Sequence, residues 1–308
     1  MKISVIVSIY NGKQYITEQM DSIRTQTRSA DEVLFFDDCS SDYTVEIVED
    51  YIKKYKLNGW FITANERNKG WKKNFMDGLW QASGDLIFPC DQDDIWMRDK
   101  LKNMEKIMLE HSEVNVLTTN CQAFYDSGKV IVRPEPENHE LIKQAMVQNI
   151  FETKYPGCTY CIRKEFVELS KLYWEDDFPH DALFWRMGMF SGTLYSYNES
   201  LVRWRRHEDS TYTIESVQLK TAANKREWID YGIRVVNSLC RFTETANCPD
   251  KQKADQILDT TMRWLKLRAD FYDSKKIIKG IQLLKYRKCY DRVKQYIGDI
   301  YLVYMSEE

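Results

Sequence analysis

The sequence predicts an α/β fold: parallel β-α-β units in the first half, a more mixed second half, and a helical extension at the C-terminal end. Three observations carry that expectation. Short apolar runs alternate with amphipathic segments from residue 3 to about residue 90, the pattern of parallel strands whose crossover helices cover both sheet faces. Polar motifs stand directly after three of those runs, at the carboxyl strand ends where open α/β sheets bind ligands. From about residue 215 glycine and proline become sparse, and charged segments with apolar spacing take over.

Residues 3–9 are an unbroken apolar run apart from two serines, short enough for a buried strand. Residues 15–26 read as a helix, 33–36 as a strand, 43–55 as a helix and 59–63 as a strand. A helix follows at 71–82, where Phe75 and Leu79 stand four apart on one face, and then a strand at 86–88. Residues 114–125 form a strand that leads through Asp126-Ser127-Gly128 into another at 129–133, a hairpin signal, with a proline-rich loop at 134–137. A helix at 140–150, a turn at 155–157, a mixed segment at 158–162, a helix at 182–190 and strands near 193–197 and 201–207 complete the first domain. Three helices are expected near 215–242, 250–273 and 275–304, with a boundary near residue 214, so that the domains are 1–214 and 215–308.

Composition excludes some functions. With 44 basic against 47 acidic side chains among 308 residues, no global field exists to attract nucleic acid. The start of the chain, Met1-Lys2-Ile3-Ser4-Val5, reads as a strand and lacks a signal-peptide layout, and no apolar stretch is long enough to span a bilayer. The eight cysteines are scattered apart from Cys158-Thr159-Tyr160-Cys161, a lone C-x-x-C that is a weak zinc or redox signal and is read in preference as a pair of small core residues. A reducing cytoplasm is the expected compartment, peripheral at most to the inner face of the plasma membrane.

The most informative stretch is Leu86-Ile87-Phe88-Pro89-Cys90-Asp91-Gln92-Asp93-Asp94, an apolar run that ends in crowded carboxylates. Like charges at a strand end make sense where a divalent cation or a cation-bound phosphate sits; an acidic turn capping a helix that starts near Met97 is the plainer reading. Ser8-Ile9-Tyr10-Asn11 and Asp37-Asp38-Cys39-Ser40-Ser41-Asp42 follow the first two strands. A dehydrogenase would need Gly-x-Gly-x-x-Gly after the first strand, where Gly12 stands alone, and no Walker loop is present. A calcium loop starting at Asp91 would need glycine where Trp96 stands.

These motifs, with Asn68-Lys69-Gly70, Asn74-Phe75 and Cys90-Asp91-Gln92-Asp93-Asp94-Ile95-Trp96, occur in the order found in family 2 glycosyltransferases. Over residues 1–210 the chain resembles that family, and most of all its bacterial rhamnosyltransferase-like members. The resemblance implies a GT-A nucleotide-diphospho-sugar transferase fold, a Rossmann-like mixed sheet flanked by helices, with a donor half at 1–97 and an acceptor half at 98–214. It implies that Ser8 and Tyr10, with Asn11 beside them, line the base or ribose pocket. Asp38 would accept a hydrogen bond from the pyrimidine imide, a sound pairing because ionised acceptors bind strongly. Asp91 would lie near the ribose and Asp93 on a Mn²⁺ or Mg²⁺ ion bridging the diphosphate, with Asp94 capping the next helix. Asp181, in His180-Asp181 at a helix start, would be the catalytic base for direct, inverting displacement. His207 in Trp204-Arg205-Arg206-His207 would be a second metal ligand, and Arg205 or Arg206 a diphosphate contact.

Two departures stand out. Lys72-Lys73-Asn74 occupies a place where relatives often carry Arg, so Lys73 supplies positive charge without a bidentate fork. The loop after His207 lacks the glycine often found there. The implied partners are a UDP- or dTDP-sugar donor and a glycan acceptor, lipid-linked or protein-linked, in bacterial surface polysaccharide or glycoprotein synthesis. The alternative is a catalytically silent protein of the same fold that binds glycans or scaffolds a partner.

The C-terminal helices carry a further signal. Between residues 275 and 294 eight basic side chains face the single Asp291, a net charge of +7 interleaved with Ile277, Ile278, Ile281 and Leu284. The expectation is a basic amphipathic region that packs on the catalytic domain or on a second copy of the chain, in preference to an anionic membrane surface.

Overall fold

The computed structural model describes residues 1–131, 137–207 and 221–305. They fall into two compact units, one made of 1–144, 154–188 and 193–206 and the other of 145–153, 189–192 and 207–308. The boundary expected near residue 214 lies outside the described residues.

The first unit is built on one mixed sheet. Its strands are β1 (Ile3–Ile9), β2 (Glu32–Asp37), β3 (Trp60–Ala64), β4 (Leu86–Asp91), β5 (Ile95–Trp96), β6 (Val116–Phe124), β7 (Val130–Ile131), β8 (Leu141–Lys143), β9 (Cys161–Arg163) and β10 (Leu194–Arg205). Their order is β3-β2-β1-β4-β9-β6-β10-β5, with β7 on β6 and β8 on β10. β3, β2, β1 and β4 are parallel, as are β6 and β10, while β9 runs antiparallel to both of its neighbours. The helices of this unit are α1 (Ile16–Arg24), α2 (Thr44–Tyr55), α3 (Trp71–Gln81), α4 (Lys100–Glu110), α5 (Lys164–Ser170) and α6 (His180–Phe190).

β1 is apolar throughout because both of its faces are covered. Ile3, Val5, Val7 and Ile9 join a core with Ile16 and Met20 of α1, Val48 of α2 and Leu101 and Met104 of α4. The alternate side chain Ile6 meets α3, so closely that a Cβ on Gly78 would lie 2.5 Å from its Cγ2 and 2.8 Å from Phe36. Glycine there lets α3 sit down on the sheet. β4 carries Pro89, which has no N–H to give a ladder. Its pairing with β9 stops at Ile87, two residues earlier, and the other edge continues along β1 to Asp91. The strand end is thereby open on one side, and a 3₁₀ turn at Gly157–Thr159 comes against it.

In place of a helix at 140–150 the chain forms β8, antiparallel to the first half of β10 through Tyr195 and Lys143. The free edge of a long strand recruits Leu141–Lys143, and edge pairing wins over a weak helical periodicity. The strands expected at 193–197 and 201–207 are one strand, β10, with register shifts around Ser200.

The second unit holds α7 (Ala222–Thr245), α8 (Lys251–Ser274), α9 (Ile277–Gln282) and α10 (Val293–Met305), with a 3₁₀ segment at Leu283–Cys289. The starts of α7 and α8 are capped by side chains: Thr221 accepts from Asn224 N–H and Asp250 from Lys253 N–H. α7 and α8 pack closely, since a Cβ on Gly232 would stand 3.0 Å from Leu265. The single third helix expected at 275–304 is instead broken, with non-helical backbone at Tyr286. Among the described residues no helix is long and apolar enough to cross a membrane.

Candidate active site

The loops after β1, β2 and β4 are stitched into one rim. Asn11, in the left-handed region at φ 48°, donates its N–H to Ser40 Oγ at 2.8 Å and accepts Ser41 N–H at 2.9 Å through Oδ1. Gly12 N–H donates to Thr44 Oγ1 at 2.9 Å. Gln92, inside the acidic motif, clasps the backbone of Tyr10 at two points: Tyr10 N–H donates to Oε1 at 2.8 Å, and Nε2 donates to the Tyr10 carbonyl at 3.0 Å. The Tyr10 ring is left 49% exposed on this rim. Ser8 Oγ accepts Asn74 Nδ2 at 2.8 Å, which ties the end of β1 to α3.

Asp38 is buried, and this chain supplies its donors. Its carboxylate accepts Lys69 N–H at 2.7 Å, Gly70 N–H at 2.8 Å and Asn65 Nδ2 at 3.1 Å, so it organises the 65–70 segment. Beside it Asp37 accepts Ser40 N–H at 2.9 Å, while its Oδ1 is buried with no hydrogen-bond partner among the described residues.

The acidic turn is the electrostatic centre. Ligand atoms of Asp91, Asp94 and Cys158 lie within 4.8 Å of one another, Cys158 arriving from the 3₁₀ turn beside β4. Asp94 is fully buried; Oδ1 accepts Arg205 N–H at 3.0 Å, and the Cys158 thiol stands against its carboxylate. Burial, then Asp93 and then Asp181 push the Asp91 carboxyl up to about 7. Asp94 is held well above the usual carboxylate range by burial and by Asp93 and Asp91, and the Cys158 thiol is driven up by burial and the two carboxylates. Behind them Lys100 is fully buried, its ammonium donating to the Cys158 carbonyl at 3.1 Å and lying 4.2 Å from the Trp96 ring. Burial lowers it to about 8.

Arg205 holds this turn. Its Nε donates to the Asp93 carbonyl at 2.8 Å, its two terminal nitrogens pair with Asp126 and Glu18, and its guanidinium lies over the rings of Tyr15 and Phe124. All three guanidinium nitrogens thus donate to the protein itself. Asp181 stands in the first turn of α6, its Oδ1 accepting Ala182 N–H at 2.7 Å. A Cβ on Gly157 would come 2.5 Å from His180 Nε2 and 3.3 Å from the Asp181 Cβ, so only glycine lets that helix start approach the turn that carries Cys158. His180 is buried against Phe75, with its ring nitrogens unpartnered among the described residues.

The first unit therefore gathers Ser8, Tyr10, Asn11, Asp38, Asp91, Asp93, Asp181 and Arg205 at or behind one end of the sheet. Lys73 is directed elsewhere: its ammonium pairs with Asp77 and lies 5.4 Å from the Trp80 ring and 5.3 Å from Trp174. His207 is half-buried and falls in the second unit. Sequence reasoning missed Cys158 as a site residue and missed the clasp by Gln92. The one signal at Cys158 was its lone C-x-x-C spacing with Cys161, too weak to set it apart from a small core residue.

The raised Asp91 carboxyl has a consequence for stability. Its folded value exceeds the unfolded one, so the folded state binds the extra proton, and the benefit present below pH 4 is lost as pH rises through about 7. Without metal, the melting temperature should fall between pH 5 and 8 by several degrees, a loss on the order of 2 kcal/mol after allowing for partial exposure and coupling. Asp91→Asn should make that slope shallower, leaving the part contributed by the raised Asp94 carboxyl. Thermal scans across the pH range, with and without Mn²⁺, check it, and added Mn²⁺ should stabilise more at pH 8 than at pH 5.

Residues 4–168 match the family described as Glycosyl transferase family 2. The dTDP-rhamnosyl transferase RfbG of Shigella flexneri is 29% identical over 218 residues, 66% of this chain and 72% of that protein. An uncharacterized glycosyltransferase of Haemophilus influenzae is 26% identical over 254 residues, 77% of this chain and 78% of that one. Among solved structures, S. aureus TarS in complex with UDP-GlcNAc aligns with a TM-score of 0.65 at 21% identity, over 97% of this chain and 82% of that chain. The mannosyltransferase PcManGT from Pyrobaculum calidifontis, in complex with GDP-Man and Mn²⁺, gives 0.55 at 16% identity, over 99% and 88%. These likenesses show a GT-A fold.

Proposed function

The chain belongs to glycosyl transferase family 2, and from that premise we propose that it is an inverting, metal-dependent glycosyltransferase. It would move a sugar from a UDP- or dTDP-sugar to a hydroxyl of a glycan acceptor, in bacterial surface polysaccharide or glycoprotein synthesis. The observation that carries the reading is the carboxylate cluster at the end of β4: ligand atoms of Asp91, Asp94 and Cys158 lie within 4.8 Å of one another, and burial, then Asp93 and then Asp181 raise the Asp91 carboxyl.

The residues fit a divalent cation. Two carboxylates and a thiol converge, their ligand atoms within 4.8 Å of one another. Asp93, with Asp91 and Asp94 beside it, would hold Mn²⁺ or Mg²⁺, which supplies Lewis-acid neutralisation of the departing diphosphate. Asp181 takes the proton from the acceptor hydroxyl as that oxygen attacks the anomeric carbon. One base without an enzyme nucleophile gives inversion. Ser8, Tyr10 and Asn11 line the nucleoside side, Tyr10 offering its exposed ring. Asp38 shapes that side through the 65–70 segment it holds, and any contact with the pyrimidine is made from there. Arg205 acts on the donor through the turn it fixes rather than by touching the diphosphate. Lys73, paired with Asp77, supports α3. The cysteines carry no disulfide among the described residues, in keeping with a reducing cytoplasm.

Incubation with a panel of UDP- and dTDP-sugars, with Mn²⁺ or Mg²⁺, tests the reading. At least one donor should release its nucleoside diphosphate in a metal-dependent way. If the folded protein binds glycan but neither binds nor cleaves any donor, the silent binding protein is the correct description.

A further inference from the structure

The C-terminal end of the second unit leaves an apolar surface uncovered. On α9, Ile277 is 58% exposed and Ile278 and Ile281 each 53%, with Leu284 of the following 3₁₀ segment equally open. On α10, Val293 at 74%, Ile297, Tyr301 and Met305 recur at four-residue spacing and are all exposed, a stripe along one helix face. The other side of α10 is used inward, where Asp299 and Val303 are buried. The two segments lie side by side: Tyr296 hydroxyl donates to the Gly280 carbonyl at 3.2 Å, and Tyr304 hydroxyl to the Lys275 carbonyl at 2.7 Å. An exposed apolar patch of several large side chains marks an interaction surface.

Charge decides the occupant. Lys285, Arg287, Lys288, Arg292 and Lys294 are exposed around the same segments. Lys279 is drawn to Asp270 at 2.7 Å, but residues 275–294 retain their net charge of +7. A second copy would bring an identical cationic surface against the first, whereas an anionic bilayer is complementary to it.

We infer that α9, the 3₁₀ segment and α10 form a docking surface for an anionic membrane. The isoleucines, Val293 and Tyr301 enter the acyl boundary, and the lysines and arginines sit among the headgroups. The inference stands on exposure and charge and is independent of the donor chemistry proposed above.

Flotation of the full chain with vesicles tests it. The protein should float with phosphatidylcholine mixed with phosphatidylglycerol, should do so far less at high salt, and should stay behind with phosphatidylcholine alone. Val293→Asp with Ile297→Asp, and separately Lys285→Glu with Lys288→Glu, should each weaken binding by about tenfold or more. All four positions are exposed, so melting temperatures should match the parent. Absence of flotation with anionic vesicles, or flotation unchanged by both double variants, overturns the inference. So does a solution dimer, seen by sedimentation, that Val293→Asp with Ile297→Asp dissociates, because the surface is then covered by a second copy.

Discussion

Asp181→Asn is expected to lower kcat by about a thousandfold while leaving metal-dependent donor binding intact. A positioned general base contributes roughly 10²–10⁴ in rate. The substitution separates that role from structure. Asp181 Oδ1 accepts the Ala182 N–H at 2.7 Å, a bond that an asparagine oxygen can keep, so the start of α6 stays in place while the group can no longer take a proton. Asp93→Asn should behave differently in the same assays, losing Mn²⁺-dependent donor binding as well as turnover. Donor binding followed by calorimetry, beside turnover of the best donor from the panel, distinguishes the two. An Asp181→Asn enzyme with turnover within tenfold of the parent would remove Asp181 as the base.

The sheet that carries this site was legible because its strands are buried on both faces. Ile3–Ile9 and Leu86–Asp91 read as apolar runs wherever they are met, and the polar groups that follow them can only sit at the strand ends. Less was legible where a residue's partner comes from far along the chain. Arg205 reads as a free cation in sequence, but its partners Glu18 and Asp126 lie 187 and 79 residues away. Cys158 reads as a small core residue, and only the early end of β4–β9 pairing, set by the position of Pro89, brings it to Asp91 and Asp94. The segment at 140–150 has no strong pattern of its own, so the open edge of β10 determined its state. Charge and apolar content predicted the character of residues 275–305, but not that the helix would break.

That break is tied to the second large effect. Asp299→Ala is expected to destabilise the second unit by roughly 3–5 kcal/mol, the range for removing one partner of a buried ion pair. Asp299 is fully buried and Arg268 is 2% exposed. Arg268 donates to both carboxylate oxygens, at 2.8 and 2.6 Å, and Tyr272 and Tyr290 add their hydroxyls at 2.9 and 2.8 Å. Tyr290 reaches Asp299 only because the chain leaves the helix before it and re-enters at Val293, so the carboxylate fixes the path between α8 and α10. Without Asp299 a guanidinium 4.7 Å from the Trp264 ring stays buried with no counter-charge, and two phenols lose their acceptor. Arg268→Met should be comparably damaging, since it strands the carboxylate instead. Arg268→Met combined with Asp299→Leu should recover most of the loss, because replacing both charges removes the desolvation penalty along with the attraction. Denaturant unfolding of the three variants measures this. If Asp299→Ala loses less than about 1 kcal/mol, water reaches the guanidinium and the site is not closed in solution.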